Sequence, residues 1–444
     1  MMKVHYYFEE KHYLFEDMKK NFNQVFLDQL LENKICTVVS NGTSIKFEFV
    51  GVLDYQDNLY FVVPKYMNRS TPELGFQKKM KLILKVLRKY GTRVNSTDDS
   101  LDFLFPNPAK NYFSMFALAD FLLEDFLNYN YYSVIERKVE INGGGETLWD
   151  RTINELTPIF SNNTPYYLDT YNFHENKNEL SVILKIHKWA VNYCYNHYGE
   201  WLGYEDAYIE PNMLELDTIG ATEYLVGVLD KELNTTFNDQ KINLLKALKS
   251  IVELKGSYNT SQLNIYGVRI FDRVWENVCA TIFENEYEKY KEKIPHPTWY
   301  TNEYDKTFEK ATLMPDIIKT YTDGPLSYFL ILDAKYYNIR FTNTDVLGNP
   351  SLEDVSKQLL YMQALEKEHA GKITRNYFLF PKDGKEELPF ILFGKAGLEF
   401  VTTEPILLVY LSDETVYNRF LKNLTISLEE YRELEKITKN FCSE

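Results

Sequence analysis

Two acidic side chains and one amine near the end of the chain have the types and spacing that phosphodiester chemistry requires. Asp316 follows a proline, and Asp333 and Lys335 stand two residues apart after the apolar run 328–332. Two carboxylates can hold Mg²⁺, which polarises a phosphate and lowers the pKa of a bound water. A lysine beside them can position that water and offset developing charge. The pattern predicts metal-dependent phosphodiester hydrolysis, with Mn²⁺ as a substitute cation.

The elements around these residues are predicted to form a β-hairpin. Residues 314–319 and 328–337 flank a turn at Thr322-Asp323-Gly324-Pro325. Asp333 and Lys335 then leave the same face of the second strand, because side chains alternate along a strand. Ionisable groups at such a core edge are costly unless they are paired or hold a metal. The alternative is that both aspartates are turn and strand-end residues and that Lys335 lies at the surface.

A helix predicted over residues 270–291 precedes the hairpin and offers a third acid. Glu276 follows the core position Trp275, and the small Cys279 and Ala280 one turn later leave room beside it. We therefore expect Glu276 to reach the two aspartates. The alternative is a glutamate that faces solvent.

A second helix, predicted over residues 351–367, follows the hairpin. Ser351 and Asp354 have the spacing of a capping box, with Asp in place of the usual Glu. Gln358 and Tyr361 lie three apart and so share one helix face, where they could orient the lysine, the attacking water or the DNA backbone. The alternative is that both are ordinary helix positions. Strands predicted near 373–380 and 405–411 extend the sheet.

The first part of the chain contains a predicted hairpin and a basic helix. The hairpin strands cover 44–52 and 59–63, and the helix runs from about Pro72 to Tyr90. The helix face opposite its apolar stripe carries the predicted DNA contacts Lys78, Lys81, Lys85 and Arg88. A solvated face or a docking site for an acidic partner is the alternative interpretation. We divide the chain into residues 1–140, a mainly helical region 141–262, and residues 263–444.

Composition limits the classes of function. The net charge of −15 argues against a protein that coats nucleic acid by electrostatics alone. The 4 cysteines are scattered singly, so they suggest neither a zinc clip nor a secreted disulfide framework. No apolar run is long enough to span a membrane, and no phosphate-binding loop of the GxxxxGK[ST] type occurs. We therefore expect a cytoplasmic protein without its own nucleotide site.

The order of these motifs resembles the PD-(D/E)XK nuclease superfamily and, more narrowly, the LlaJI family of restriction endonucleases, which are relatives of the McrC nuclease subunit. Further segments carry the resemblance in the same order along the chain. They are Val50-Gly51-Val52, Pro64-Lys65-Tyr66, Gly145-Glu146, Leu148-Trp149-Asp150-Arg151-Thr152-Ile153, and Asn376-Tyr377-Phe378-Leu379-Phe380-Pro381.

The resemblance implies a mixed α/β, multidomain fold. A PD-(D/E)XK domain with a small mixed sheet would follow an α+β amino-terminal domain and a helical middle region. It implies that Glu276, Asp316 and Asp333 bind Mg²⁺, that Lys335 is catalytic, and that Gln358 assists. One departure is that the related nucleases often have Gln-xxx-Tyr, whereas Gln358 and Tyr361 are separated by two residues.

The implied role is restriction of foreign double-stranded DNA. The implied partners are an AAA+ GTPase of the McrB type, which would hold the DNA, and methyltransferases that protect the host. Two alternatives remain open from the sequence. One is a repair or recombination nuclease of the same superfamily, and the other is a non-catalytic adaptor of an AAA+ complex.

Overall fold

The computed structural model describes residues 3–39, 42–56, 58–67, 73–93, 104, 114–133, 135–177, 181–212, 214–256, 263–301, 306–309, 312–386, 388–401 and 404–443. The chain forms two compact units. The first combines Met1–Ser114 with Ser261–Glu444, and the second is Met115–Thr260. These units group residues 115–140 with the middle region, and the three predicted domains stay a prediction. No helix in the described part of the chain is both long enough and apolar enough to cross a membrane.

The strands are, in chain order, β1 Lys3–Phe8, β2 His12–Leu14, β3 Cys36–Val39, β4 Ser44–Phe47, β5 Val50–Tyr55, β6 Asn58–Val63, β7 Ile135–Ile141, β8 Glu146–Thr147, β9 Ile159–Ser161, β10 Thr164–Tyr166, β11 Tyr171–Lys177, β12 Asn264–Val268, β13 Thr298–Thr301, β14 Lys306–Glu309, β15 Ile317–Asp323, β16 Leu326–Ala334, β17 Arg340–Phe341, β18 Val346–Leu347, β19 Ile373–Lys382, β20 Phe390–Ala396 and β21 Ile406–Ser412.

The helices are α1 Phe15–Asn21, α2 Gln24–Glu32, α3 Glu73–Arg93, α4 Met115–Tyr129, α5 Trp149–Glu155, α6 Val182–Cys194, α7 Glu200–Leu202, α8 Leu216–Ile219, α9 Thr222–Leu233, α10 Asp239–Gly256, α11 Phe271–Ile282, α12 Tyr287–Tyr290, α13 Leu352–Ala364, α14 Glu366–His369, α15 Asp413–Lys422 and α16 Leu428–Ser443. The prediction of a mixed α/β protein is confirmed.

Three amino-terminal strands and the later strand β12 form a four-stranded sheet in the order β1-β6-β5-β12. Strands β5 and β6 form the predicted hairpin, and both are almost entirely buried, as a central apolar strand should be. The predicted first strand over 44–52 was wrong in extent, because β4 ends at Phe47 and pairs in a different sheet, with β2 and β3. Strand β12 joins the two separated chain segments into one unit by pairing antiparallel with β5.

The sheet that carries the candidate site has the order β15-β16-β19-β21-β20. Strands β15 and β16 are the predicted hairpin, and Gly324 at its turn has a φ of +58°, which favours glycine. Strands β16, β19 and β21 are parallel, and β20 closes the edge antiparallel to β21. The four predicted strands are confirmed within a few residues, whereas β20, α15 and α16 were not predicted.

Two helices pack beside this sheet. Helix α11 begins at Phe271 and buries Val274, Trp275, Val278 and Ile282, which share one face at helical spacing. It ends at Ile282, so the prediction of a helix continuing to residue 291 was wrong. Glu284 breaks it with a φ of +52°. Helix α13 begins at Leu352, and Ser351 before it is the N-cap of the predicted capping box, which is confirmed.

The second unit contains helices and short strands. Helices α6 and α10 are the longest helices of the region predicted to be mainly helical, and residues 195–199 continue α6 as a π-helix. Strands β7, β11 and β8 form one sheet, and β9 pairs with β10. These strands were not predicted, because several are only two or three residues long and carry no alternating pattern.

Candidate active site

The register of the β15–β16 hairpin places Asp316 beside Asp333. Ile317 pairs with Leu332, so the next position on each strand brings the two aspartates opposite one another. The Ala334 N–H donates to Asp316 Oδ2 at 2.9 Å. The aspartate that precedes one strand and the aspartate that ends the other therefore meet at one edge of the sheet.

The register and the Ala334 N–H···Asp316 bond place the two carboxyl groups next to each other. Two carboxylates at this distance repel each other unless one is protonated or a cation lies between them. Burial raises the pKa of Asp316, and the neighbouring charge of Asp333 raises it further. Asp333 is itself 6% exposed. The pair is a concentrated, partly desolvated negative site that a cation would stabilise.

Lys335 is held between two carboxylates. Its Nζ lies 3.0 Å from Asp333 Oδ2 and 2.8 Å from Asp354 Oδ1. Burial works against the charged form, but the Asp333 and Asp354 carboxylates outweigh it and raise the pKa of Lys335. The amine is therefore a fixed cation beside the two aspartates.

Glu276 approaches the same edge from helix α11. Burial raises the pKa of Glu276 to about 7, with further contributions from Asp272 and Asp333. The helix is anchored by its neighbour Trp275, whose Nε1 donates to the Leu379 carbonyl at 3.1 Å. The same carbonyl accepts the backbone N–H of Lys335 at 2.9 Å. One carbonyl thus fixes both the helix that carries Glu276 and the strand end that carries the lysine.

Gln358 is not brought into this group. It is fully buried, and its Nε2 donates to Asn376 Oδ1 at 2.5 Å. The Asn376 side-chain amide donates in turn to the backbone carbonyl of Gln358 at 3.2 Å. These contacts fasten α13 onto β19, and a catalytic role for Gln358 stays a prediction.

Two side chains hold the backbone on either side of Pro315. The Tyr361 hydroxyl donates to the Met314 carbonyl at 3.1 Å. The Asn285 amide donates to the Asp316 carbonyl at 2.7 Å and accepts the Ile318 N–H at 3.0 Å. Asn285 was missed in the sequence, because it follows the end of α11 and no local pattern indicates what it contacts.

The candidate site opens into a cleft of about 760 Å³. Glu276, Ala334 and Lys335 line one side of it, and Glu9 and Lys65 from the amino-terminal segment line another. Glu9 is buried and accepts the Tyr336 hydroxyl at 2.5 Å, so the residue after Lys335 is tied to strand β1. The amino-terminal segment therefore forms a wall of the cleft.

The donor set suits an open Mg²⁺ site rather than a closed cage. Within the described ranges, no three or more His, Cys, Asp or Glu side chains are gathered as a metal-binding group. Asp316 and Asp333 supply two adjacent carboxylates, and Glu276 stands nearby. Mg²⁺ usually keeps several waters and binds through one or two carboxylates together with substrate phosphate. The residues present fit that mode of binding.

Some of the basic side chains of helix α3 are paired with groups of the protein itself. Lys89 Nζ donates to the carbonyls of Phe420 and Leu421 at 2.6 and 2.9 Å, at the end of α15. Lys79 forms an ion pair with Asp383. Of the predicted DNA contacts, Lys78 is exposed, and Lys81, Lys85 and Arg88 are half-buried. Pro72, the predicted start of this helix, lies outside the described residues.

Comparison with known proteins identifies the class. The family described as LlaJI restriction endonuclease matches residues 49–414. A curated relative, the Type II restriction enzyme BsuMI component YdjA of Bacillus subtilis (strain 168), is 36% identical over 439 residues, which cover 96% of this chain and 93% of that protein. The chain therefore belongs to the LlaJI restriction endonuclease family. The resemblance found in the sequence and the prediction of a restriction endonuclease are confirmed.

Solved structures give weaker matches. McrC bound to McrB AAA+ hexamers of Thermococcus gammatolerans has a TM-score of 0.41 and 14% identity, over 95% of this chain and 99% of that chain. The restriction endonuclease FokI has a TM-score of 0.19 and 9% identity, over 92% of this chain and 81% of that chain. Neither score is high enough to establish a common fold.

Proposed function

We propose that the chain is a Mg²⁺-dependent endonuclease subunit whose PD-(D/E)XK site consists of Asp316, Asp333 and Lys335, with Glu276 as a further acid. The observation that carries the proposal is the contact of the two aspartates at the end of the hairpin, with the lysine amine 3.0 Å from Asp333. Metal-assisted phosphodiester hydrolysis needs this combination of charges.

Each residue has a distinct task in this proposal. Asp316 and Asp333 would hold the cation, and Glu276 would add a further carboxylate beside it. Bound Mg²⁺ supplies Lewis-acid activation of the phosphate and of a water molecule. Lys335 positions that water and offsets the charge that develops on the phosphate oxygens.

The proposed substrate is foreign double-stranded DNA, and the proposed setting is the cytoplasm. Family membership favours restriction over repair or recombination as the biological role. Methyltransferases of the same system would protect the host DNA. Lys78 on helix α3 is an exposed cation available for a phosphate contact.

We also propose a separate AAA+ GTPase subunit as partner. The chain has no phosphate-binding loop of its own, its net charge is −15, and its relative is named as a component of an enzyme. The second unit exposes large apolar side chains, among them Phe160 at 67% and Leu168 at 76%. Such side chains are candidates for contact with a partner if they form one contiguous patch.

The test is cleavage of unmethylated plasmid DNA with Mg²⁺ and a candidate AAA+ GTPase subunit from the same organism. We expect the wild type to cut and Asp333→Ala to be inactive. Thr322→Ala, at the far end of the same hairpin, is the matched control and should cut like the wild type. Equal cleavage by wild type and Asp333→Ala would reject the catalytic role and leave a non-catalytic adaptor as the remaining function.

A further inference from the structure

The capping box of helix α13 caps the amino terminus of the helix and also contacts Lys335. The Ser351 N–H and hydroxyl donate to Asp354 Oδ2 at 2.8 and 2.7 Å, and the Asp354 N–H donates to Ser351 Oγ at 3.1 Å. This leaves the other oxygen, Oδ1, which accepts from Lys335 Nζ at 2.8 Å. One carboxylate therefore joins the start of a helix to the proposed catalytic lysine.

The contact matters because Lys335 also lies against a proposed metal ligand. Its Nζ is 3.0 Å from Asp333 Oδ2, so the ammonium lies on a carboxylate that would hold the cation in the proposed function. Two cations cannot occupy the same side of one carboxylate without repulsion. An ammonium group that had only Asp333 as its partner would therefore compete with the metal.

We propose that Asp354 is a positioning residue that draws the Lys335 ammonium away from Asp333, so that Asp333 can bind the cation while the lysine stays beside the reacting phosphate. The inference rests on the proposed function. Asp354 can do this because its Oδ2 is fixed by Ser351 and because a carboxylate is stabilised in the first turn of a helix. Its side chain is 22% exposed, and each of its two oxygens accepts a hydrogen bond, Oδ2 from Ser351 and Oδ1 from Lys335.

The chain contains a matched control for this arrangement. The Ser427 N–H donates to Glu430 Oε2 at 2.8 Å and its hydroxyl to the same oxygen at 3.0 Å, which is a second box of this kind at the start of α16. Glu430 also forms an ion pair with Arg419. Glu430→Gln thus removes a cap carboxylate and its cation contact without touching Lys335.

The experiment is Mn²⁺ binding without DNA, measured from the electron paramagnetic resonance signal of the free ion. Asp354→Asn should raise the Kd by about 5- to 20-fold, because Lys335 then rests on Asp333 alone. Glu430→Gln should stay within about twofold of the wild type. The N-cap bond from the backbone N–H of residue 354 to Ser351 Oγ does not use the substituted side chain, so α13 stays capped in the test variant.

A double-mutant cycle separates lysine competition from a general loss of negative charge. In a Lys335→Met background there is no ammonium to draw away, so Asp354→Asn should leave the Mn²⁺ Kd unchanged. An equal weakening in both backgrounds, or no weakening in the wild-type background, would overturn the role of Asp354.

If the proposed metal site itself is wrong, the Mn²⁺ binding measurements would give a different result. Asp333→Ala should abolish Mn²⁺ binding at this site. Binding by Asp333→Ala that equals the wild type would reject the metal site itself. Loss of binding in Asp333→Ala together with an unchanged Kd in Asp354→Asn would reject only the positioning role.

Discussion

The buried bond between Tyr336 and Glu9 gives a prediction whose size follows from the structure. The Tyr336 hydroxyl donates to Glu9 Oε2 at 2.5 Å, and the two residues are 5% and 6% exposed. Tyr336→Phe keeps the ring and removes only this donor. A hydrogen bond to a charged group contributes about 1.5–3 kcal/mol and a neutral one about 0.5–1.5 kcal/mol. The loss of stability therefore depends on whether Glu9 is ionised.

Burial raises the pKa of Glu9 to about 7. Because this pKa is raised in the folded state, the stability due to Glu9 is fully present below about pH 4.5 and falls as the pH rises through about 7. The Tyr336 bond opposes the rise in pKa, so it favours the ionised form. We expect Tyr336→Phe to cost about 1.5–3 kcal/mol near pH 8 and less near pH 6.

The assay is urea unfolding followed by tryptophan fluorescence at both pH values. Tyr337→Phe is the matched control. Tyr337 is 36% exposed, so removing its hydroxyl should change the stability of the protein little. A cost for Tyr336→Phe that is larger near pH 6 than near pH 8, or a cost equal to that of Tyr337→Phe, would refute the reasoning.

Three further predictions concern stability. Burial lowers the pKa of His187 to about 3. The free energy of unfolding should therefore fall by up to about 1.4 kcal/mol per pH unit as the pH drops below about 6.5. In urea unfolding, His187→Asn should make this dependence on pH weaker. The Lys89 ammonium donates to the last carbonyls of α15, so Lys89→Met should lower the free energy of unfolding by about 1.5–3 kcal/mol. The affinity for DNA in a gel-shift assay should not change. A loss of affinity at unchanged stability would contradict this prediction. In Gly51→Ala the new Cβ would lie 2.2 Å from the Tyr266 carbonyl oxygen. The substitution should therefore lower the melting temperature and reduce the free energy of unfolding by about 1–3 kcal/mol. An unchanged melting temperature would show that β12 is not held against β5.

The hairpin and its aspartates could be predicted because their signals are local. An Asp-Gly-Pro turn follows one strand, and an apolar run leads into Asp333 in the next. The capping box of α13 is equally local, since it depends on a spacing of three residues. These patterns were sufficient to predict which elements surround the site.

The contacts between elements could not be predicted in the same way. Gln358 was predicted to assist catalysis, yet the rotation of α13 on the sheet turns it toward Asn376. Asp354 faces Lys335 for the same reason. Glu9 and Tyr336 are 327 residues apart, and their bond depends on β12 joining the two chain segments. Strand β20 was missed because it contains Gly394 and a bulge that interrupts its alternation.

The central claim is that Asp316 and Asp333 share one divalent cation. The most direct measurement is the anomalous scattering of Mn²⁺ in crystals of the wild-type protein. We predict one peak at about 2.0–2.6 Å from a carboxylate oxygen of each aspartate. Crystals saturated with Mn²⁺ that show no peak there would contradict the claim.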